Sequence, residues 1–298
     1  MIVRPIAGGV EVLAPAKLNL FLEILSRRPD DYHEIESMMV AVDLHDRLSC
    51  AVDASGAITL RCDDPALPLG SENLVVRAAE RLRSVSRCPL GATLALHKAI
   101  PAQSGLAGGS SDAAATIVAL DRLWDLRLSP DRLNALAGEI GSDVAFFLHS
   151  PAAVCRGRGE RVEPLSMRET LHFVLVCPPV GLSTADVYRN LKPPERPRPI
   201  GPAQEALVMG RPELLGRSLF NRLQSVAERL KPELLRVDDA LAELGPWLYG
   251  HLMSGSGSAY FGLARDRGAA DAAAQRLETL GLGWVRVVTC GPRAENAS

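Results

Sequence analysis

The sequence predicts an α+β fold, and three features predict it. Strand-like and helix-like segments alternate along both halves of the chain, and there is no repeat at solenoid periods. The last helical stretch, Ala269–Leu280, feeds a closing strand, Trp284–Thr289, an order that fits a split β-α-β layer better than a helical bundle. The 298 residues are 47% hydrophobic and 23% charged, enough apolar chain for one large core or two ordinary ones.

In the first half, Val10–Leu25 alternates as a strand, with Leu18, Leu20 and Leu22 on one face and Lys17, Asn19 and Phe21 on the other. Pro29 and Asp30-Asp31-Tyr32-His33 read as a turn into a second strand, Ile35–Val42. Ala57–Arg61 and Ala92–Leu96 are short strands, and between them Ser71-Glu72-Asn73 opens a helix to about Val85. Lys98–Asp112 is too glycine-rich for an element interior and runs into an Ala/Leu-rich helix, Ala113–Trp124. Ser129 and Pro130 supply an N-cap and a first-turn proline for the helix Asp131–Glu139, and Gly141-Ser142-Asp143 starts the short helix Val144–Leu148. In the second half, Phe173–Cys177 and Ser258–Leu263 read as strands, and Glu213–Leu219 and Glu233–Leu244 as helices. Leu191–Pro202, with five prolines in twelve positions, reads as a mobile surface connection.

Charge and cysteine content exclude several classes. With 33 basic and 35 acidic residues, the net charge of −2 gives no drive towards nucleic acid or an anionic membrane. No run of about 20 apolar residues appears, and Met1–Val12 does not read as a secretory signal, so a cytoplasmic protein is expected. Six scattered cysteines without a C-x-x-C pair fit reduced thiols, and imply neither a zinc site nor a disulfide framework. There are only four lysines among the basic residues, so each one stands out.

Four segments carry chemistry. The first is Pro101-Ala102-Gln103-Ser104-Gly105-Leu106-Ala107-Gly108-Gly109-Ser110-Ser111-Asp112, at the start of a helix. Its glycines allow positive φ and close backbone approach, and a helix N-terminus offers unpaired N–H donors and partial positive charge, the makings of a phosphate cradle. It is neither G-x-x-x-x-G-K-[ST] nor G-x-G-x-x-G, and the catalytic-loop pattern of eukaryotic-type protein kinases is missing too. The second is Lys17, an amine inside an apolar strand beside Asn19: a functional cation, or a lysine snorkelling from a strand edge. The third is Asp143, a carboxylate at a helix start, which either complements the helix dipole or pairs with Lys17 to orient and deprotonate a substrate hydroxyl. The fourth is Leu252–Gly262, where alternating glycine and serine suggest a backbone-exposing loop near a ligand or a hairpin turn.

In chain order, A-P-A-K-L-N-L-F-L, P-D-D-Y-H-E, I-P-A-Q-S-G-L-A-G-G-S-S-D-A-A, G-S-D-V-A-F-F-L and S-G-S-G-S-A resemble the GHMP small-molecule kinases from residue 14 to about 260. The lysine-asparagine strand followed by Tyr-His is similar to those members that phosphorylate a cytidine-diphosphate-linked methylerythritol. The resemblance implies a ribosomal-protein-S5-domain-2-like N-terminal domain, 1–165, and a ferredoxin-like C-terminal domain, 166–298. It implies an active site in the cleft between them. It further implies ATP-dependent phosphorylation of the methylerythritol 2-hydroxyl, with Mg²⁺ held chiefly by ATP oxygens and water and no protein metal site. By that likeness Lys17 and Asp143 are the catalytic pair and Pro101 to Ser111 cradle the ATP phosphates. Asn19 would then lie by the methylerythritol end, Tyr32, His33 and Tyr188 would recognise cytosine, and Thr184 would be a nearby polar contact. The expected partner is the small-molecule substrate, with no nucleic acid or membrane, on a monomer or weak homodimer. Three positions depart from the resemblance, which leads us to expect glycine at Asp31, Gln103 and Ala107. The competing readings are another GHMP kinase acting on homoserine, mevalonate or a sugar, an inactive nucleotide-binding relative, and an RNA binder of ribosomal-protein type.

Overall fold

The computed structural model describes residues 1–149 and 151–292. Its elements in chain order begin with β1 (Ile2–Ile6), β2 (Gly9–Arg27), β3 (His33–Asp53), β4 (Ile58–Cys62), α1 (Leu74–Ser86) and β5 (Gly91–His97). The helices α2 (Gly108–Leu123), α3 (Pro130–Ile140) and α4 (Val144–His149) follow, then β6 (Ala152–Gly157), β7 (Arg161–Pro164) and β8 (Leu171–Cys177). Next come α5 (Thr184–Arg189), α6 (Gly201–Val208), α7 (Pro212–Ser218), β9 (Phe220–Asn221) and α8 (Gln224–Leu230), and a 3-10 turn (Pro232–Leu234) leads into α9 (Leu235–Ala242). The chain closes with β10 (Leu248–Met253), β11 (Tyr260–Ala264), α10 (Arg267–Thr279) and β12 (Trp284–Cys290).

These elements form two compact units, and the chain passes between them within β2, within β3 and at the glycine-rich segment. Among the described residues, 1–16, 44–102 and 107–149 form the first, and 17–43, 103–106 and 151–292 the second. In the first unit, β1 pairs antiparallel with the start of β2, the end of β3 pairs antiparallel with β5, and β4 runs parallel to β5. Helix α2 buries Ala113, Ala114, Ile117 and Leu120 completely. Asn73 caps α1 through the Val75 N–H (2.9 Å), and Ser129 with Pro130 opens α3, as the capping residues predict.

In the second unit, β3 pairs antiparallel with β6 and β2 pairs parallel with β9. A four-stranded antiparallel sheet runs in the order β10-β11-β8-β12. Strand β8 lies between β11 and β12, which α10 joins, so the expected split β-α-β layer is present. Leu22, Val174, Val176, Tyr260, Ala273 and Leu277 belong to one buried cluster here, each large apolar side chain contributing about 1.5–3 kcal/mol.

Several expectations need correction. Helix α2 starts at Gly108 rather than Ala113, so 108–111 form its first turn. Glycine is tolerated there because the first N–H groups of a helix have no carbonyl to bond. Strand β2 is buried on both faces from Ala14 to Ile24, so its alternation does not separate core from solvent. The proline-rich connection ends at Ile200, since α6 uses Gly201 and Pro202 as its first turn. Leu191 and Ile200 are buried at its two ends, and the Arg198 N–H donates to Glu23 (2.8 Å). Segment 252–262 is a hairpin joining β10 to β11, and its connecting loop lies against Lys17.

Candidate active site

The site residues read from the sequence divide between the two units. In the second, Lys17 sits in the middle of β2, only 3% exposed, and its ammonium donates to Asn19 Oδ1. Asn19, 4% exposed, donates in turn to Ser37 Oγ (2.8 Å), whose hydroxyl donates to Phe21 O (2.8 Å). A buried ammonium is costly unless acceptors surround it, so this network fixes where the charge sits. The Lys17 N–H donates to Leu106 O (3.1 Å), which brings the glycine-rich segment alongside the lysine. The β10–β11 loop completes the group: Ser254 Oγ accepts from the Asn19 N–H (3.3 Å) and donates to Gly105 O (3.1 Å). A Cβ placed on Gly255 would stand 3.0 Å from Lys17 Nζ. Lys17 is therefore not a snorkelling edge lysine.

The loop geometry sorts the glycines. Gly105 has φ +79°, and a Cβ there would collide with the Ser254 carbonyl oxygen, so glycine is required on both counts. Gly108 and Gly109 do not have positive φ. The other left-handed positions in the loop are Gln103 (φ 51°) and Ala107 (φ 57°), two of the places where the resemblance calls for glycine. The third, Asp31, has φ 63°. All three departures therefore keep the backbone conformation that glycine favours, at the cost of a Cβ in the left-handed region.

The aromatic residues lie in the second unit too. The His33 and Tyr188 rings are 5.3 Å apart, tilted at 38°. Tyr32 is 52% exposed, and the Arg158 guanidinium lies 4.9 Å from its ring centroid. Thr184 Oγ1 is 2.7 Å from Ser256 Oγ, which links α5 to the glycine-serine loop. Burial, followed by the Arg27 charge, pulls the His33 imidazole below its ordinary value.

In the first unit, Asp143 stands one residue before α4, and the Val144 N–H turns back to Gly141 O (3.3 Å). Ala107 is the N-cap of α2 and gives no side-chain cap. The N–H groups of Gly108, Gly109 and Ser110 thus face the helix start without intrahelical partners. Residues 63–65 and 98–102 line a cleft of about 390 Å³.

Sequence reasoning missed part of this set. Asn221, on β9, donates to Met253 O (2.8 Å) and Gly255 O (2.7 Å) and accepts from the Leu223 N–H (2.9 Å), clamping the loop beside Lys17. A two-residue strand leaves no periodic signal. Lys98 was missed as well, although the scarcity of lysine pointed to it; its ammonium bonds Asp46 and Asp112.

This fold, with a glycine-serine loop opening a helix and a buried lysine on a strand, is that of the GHMP kinases. The sequence matches the GHMP kinases N terminal domain over residues 73–151 and the GHMP kinases C terminal domain over residues 203–281. It is 44% identical over 259 residues to a 4-diphosphocytidyl-2-C-methyl-D-erythritol kinase of Pelotomaculum thermopropionicum, covering 86% of this chain and 90% of the relative. The same-named enzyme of Symbiobacterium thermophilum is 42% identical, with 91% and 96% covered. A crystal structure of 4-(cytidine 5'-diphospho)-2C-methyl-D-erythritol kinase superposes with TM-score 0.79 at 39% identity, covering 94% of this chain and 99% of that one. A homoserine kinase from Cytophaga hutchinsonii shares the fold, with TM-score 0.77 at 22% identity. The chain belongs to the 4-diphosphocytidyl-2-C-methyl-D-erythritol kinase family. Among the described residues, no helix is long and apolar enough to cross a membrane.

Proposed function

We propose that this protein transfers the γ-phosphoryl group of ATP to the 2-hydroxyl of 4-diphosphocytidyl-2-C-methyl-D-erythritol, giving the 2-phosphate and ADP in non-mevalonate isoprenoid precursor synthesis. The observation that carries the reading is the buried Lys17, wired to Asn19 and flanked by the glycine-rich segment at Leu106 and the hairpin loop at Gly255. In this reading the substrate oxygen forms the new bond to the γ-phosphorus while the bond to the β,γ-bridging oxygen breaks, and ADP leaves. Asp143 takes the hydroxyl proton, and Lys17 stabilises charge on the substrate oxygen and the transferred group. Residues 101–111 hold the ATP phosphates through backbone N–H groups, and the cleft at 63–65 and 98–102 is of a size to take the rest of the nucleotide. ATP would carry Mg²⁺ on its phosphates, which would neutralise part of their charge. Among the described residues, no group of three or more His, Cys, Asp or Glu side chains is placed to hold a metal.

Cytosine recognition falls to Tyr32, His33 and Tyr188. A neutral His33 offers one donor and one acceptor to a base edge, as its lowered pKa favours. Asn19 and Thr184 supply polar contacts towards the acceptor. In this reading the domains are 1–165 and 166–298, with Lys17 and Asp143 in the first domain and Tyr188 in the second, a division distinct from the two compact units. The protein acts in the cytoplasm as a monomer or weak homodimer. ADP release, measured with the diphosphocytidyl substrate against homoserine, mevalonate and galactose, tests the reading. Turnover is expected with the first alone, and equal turnover with any of the other three overturns it.

A further inference from the structure

Lys98 follows β5 directly and has a buried carboxylate on each side. Its ammonium bonds Asp46 Oδ2 and Asp112 Oδ2, the latter at 2.7 Å, and its side chain is only 10% exposed. Asp46, on β3, is fully buried. Its second oxygen accepts the N–H groups of Ala99 (2.6 Å) and Ile100 (2.9 Å), the two residues that lead into Pro101. Asp112 is the fifth residue of α2, just past its first turn, and is also buried. A Cβ on Gly108 would stand 3.1 Å from Lys98 Nζ and 3.2 Å from Asp46 Oδ2, so the cluster packs directly against the first residue of α2. One ammonium thus joins the entry of the glycine-rich segment to its exit into the helix.

The charge count is uneven. Two carboxylates share one ammonium, and Asp112 Oδ1 and Ser111 Oγ are buried with no hydrogen-bond partner. Burial pushes the Asp112 carboxyl up, Lys98 opposes this and Asp46 reinforces it, leaving it at about 7. Burial works against the Lys98 ammonium, but the two carboxylates outweigh it and hold it charged. Several charged groups on the elements packed around α2 are engaged elsewhere. Arg77 of α1 reaches Ile140 O, Arg81 pairs with Glu139 of α3, and His149 of α4 bonds Asn134.

We propose that Lys98 is a positioning residue for nucleotide binding: by holding Asp46 and Asp112 on one ammonium, it sets the spacing between residues 99–100 and the N-terminal turn of α2. The proposal rests on the reading of residues 101–111 as the phosphate cradle. Two consequences follow from the geometry. Loss of the ammonium leaves two facing carboxylates and displaces the turn, which weakens ATP binding more than it slows chemistry. Ionised Asp112 adds a negative charge behind a helix start that would face a polyphosphate, so nucleotide binding takes up a proton near neutral pH.

Lys98→Met is expected to raise KM for ATP roughly tenfold, within the usual range of coupling between sites, and to change kcat less than about threefold; Lys98→Arg restores part of the loss. Asp112→Asn keeps the shape and leaves a one-to-one Lys98–Asp46 pair, so it provides the test if Lys98→Met does not fold. Calorimetric titration of a non-hydrolysable MgATP analogue in buffers of different ionisation enthalpy, from pH 6 to 8.5, compares this variant with the wild type. The wild type should take up up to about half a proton more per nucleotide near pH 7 than Asp112→Asn, and lose affinity more steeply as pH rises. Identical proton uptake and identical pH profiles overturn the proposal, as does a Lys98→Met variant with unchanged KM for ATP. A wild-type protein that binds no nucleotide overturns the cradle reading and this proposal together, whereas nucleotide binding that is equal in wild type and variants overturns this proposal alone.

Discussion

The left-handed positions at 103, 105 and 107 make opposite predictions for glycine and alanine within a single loop. At Gly105, with φ +79°, any Cβ costs about 1–2 kcal/mol in backbone energy. It would also meet the Ser254 carbonyl oxygen and stand 3.1 Å from Gly257 N. These are backbone atoms that cannot rotate away, so overpacking adds about 1–3 kcal/mol. Gly105→Ala should therefore lower stability by about 2–5 kcal/mol, a drop of about 3–8 °C in Tm for a protein of this size. Because Ser254 is also bonded to Asn19, and Gly255 lies against Lys17, the same substitution should cut phosphoryl transfer. Ala107→Gly and Gln103→Gly run the other way. Each removes about 1 kcal/mol of left-handed strain, offset by about 0.4–1 kcal/mol of added freedom in the unfolded chain, so Tm should hold or rise slightly. Differential scanning fluorimetry, combined with an ADP-release assay, reads both effects. A Gly105→Ala protein with wild-type Tm and turnover would refute this account of the loop, and so would a marked loss of Tm in Ala107→Gly.

Three further outcomes are expected. Asp143→Asn should lower turnover by roughly 10²-fold or more while leaving ATP binding, measured by titration, nearly intact; unchanged turnover would reduce Asp143 to a helix cap. Tyr188→Ala should raise KM for the cytidine substrate by the roughly 1–3 kcal/mol of a base stack while Tyr188→Phe leaves it close to wild type, and equal values for the two would remove the stacking role. Glu23, fully buried on β2, accepts two bonds from Arg222 (2.8 and 2.7 Å), so Glu23→Ala should cost about 3–5 kcal/mol in urea denaturation. Burial alone would raise the Glu23 carboxyl, but Arg222 and the N–H groups of Arg198 and Ile24 outweigh it and hold the value below 4.5. The ionic part of its contribution is therefore present above that pH and is lost as pH falls through the lower folded value, so the gap between wild type and Glu23→Ala should narrow in acid.

The sequence was most informative where local chemistry contradicted local pattern. Lys17 stood out because an ammonium in an apolar strand demands partners, and the structure supplies Asn19 Oδ1, itself held by Ser37. Caps were legible because Asn73 and Ser129 act on N–H groups two or three residues away. The start of α2 was misplaced because glycine propensity describes helix interiors, while 108–111 are a first turn whose Gly108 lies against Lys98 and Asp46. Asn221 and the Lys98 cluster were not legible because their partners lie 32 to 54 positions away, or join strand and helix segments that no periodicity links. The glycine-like conformations at Gln103, Ala107 and Asp31 became visible only as φ angles.

The φ angles at Gln103 and Ala107 belong to a segment whose two halves have separate supports. Residues 103–106 belong to the second unit, where Ser104 O accepts the Ala259 N–H (2.9 Å) and Gly105 O accepts from Ser254. Residue 107 and the start of α2 belong to the first, where the Lys98 cluster holds them. If each support acts on its own half, damage to one should not deepen damage to the other. Gly105→Ala should then fall mainly on kcat and Asp112→Asn mainly on the pH dependence of ATP binding. The stability changes of the double variant should add within about 0.5 kcal/mol, as for sites that share no partners. A coupling energy well above that would mean that the segment moves as one body, with Lys98 and Ser254 as its two anchors.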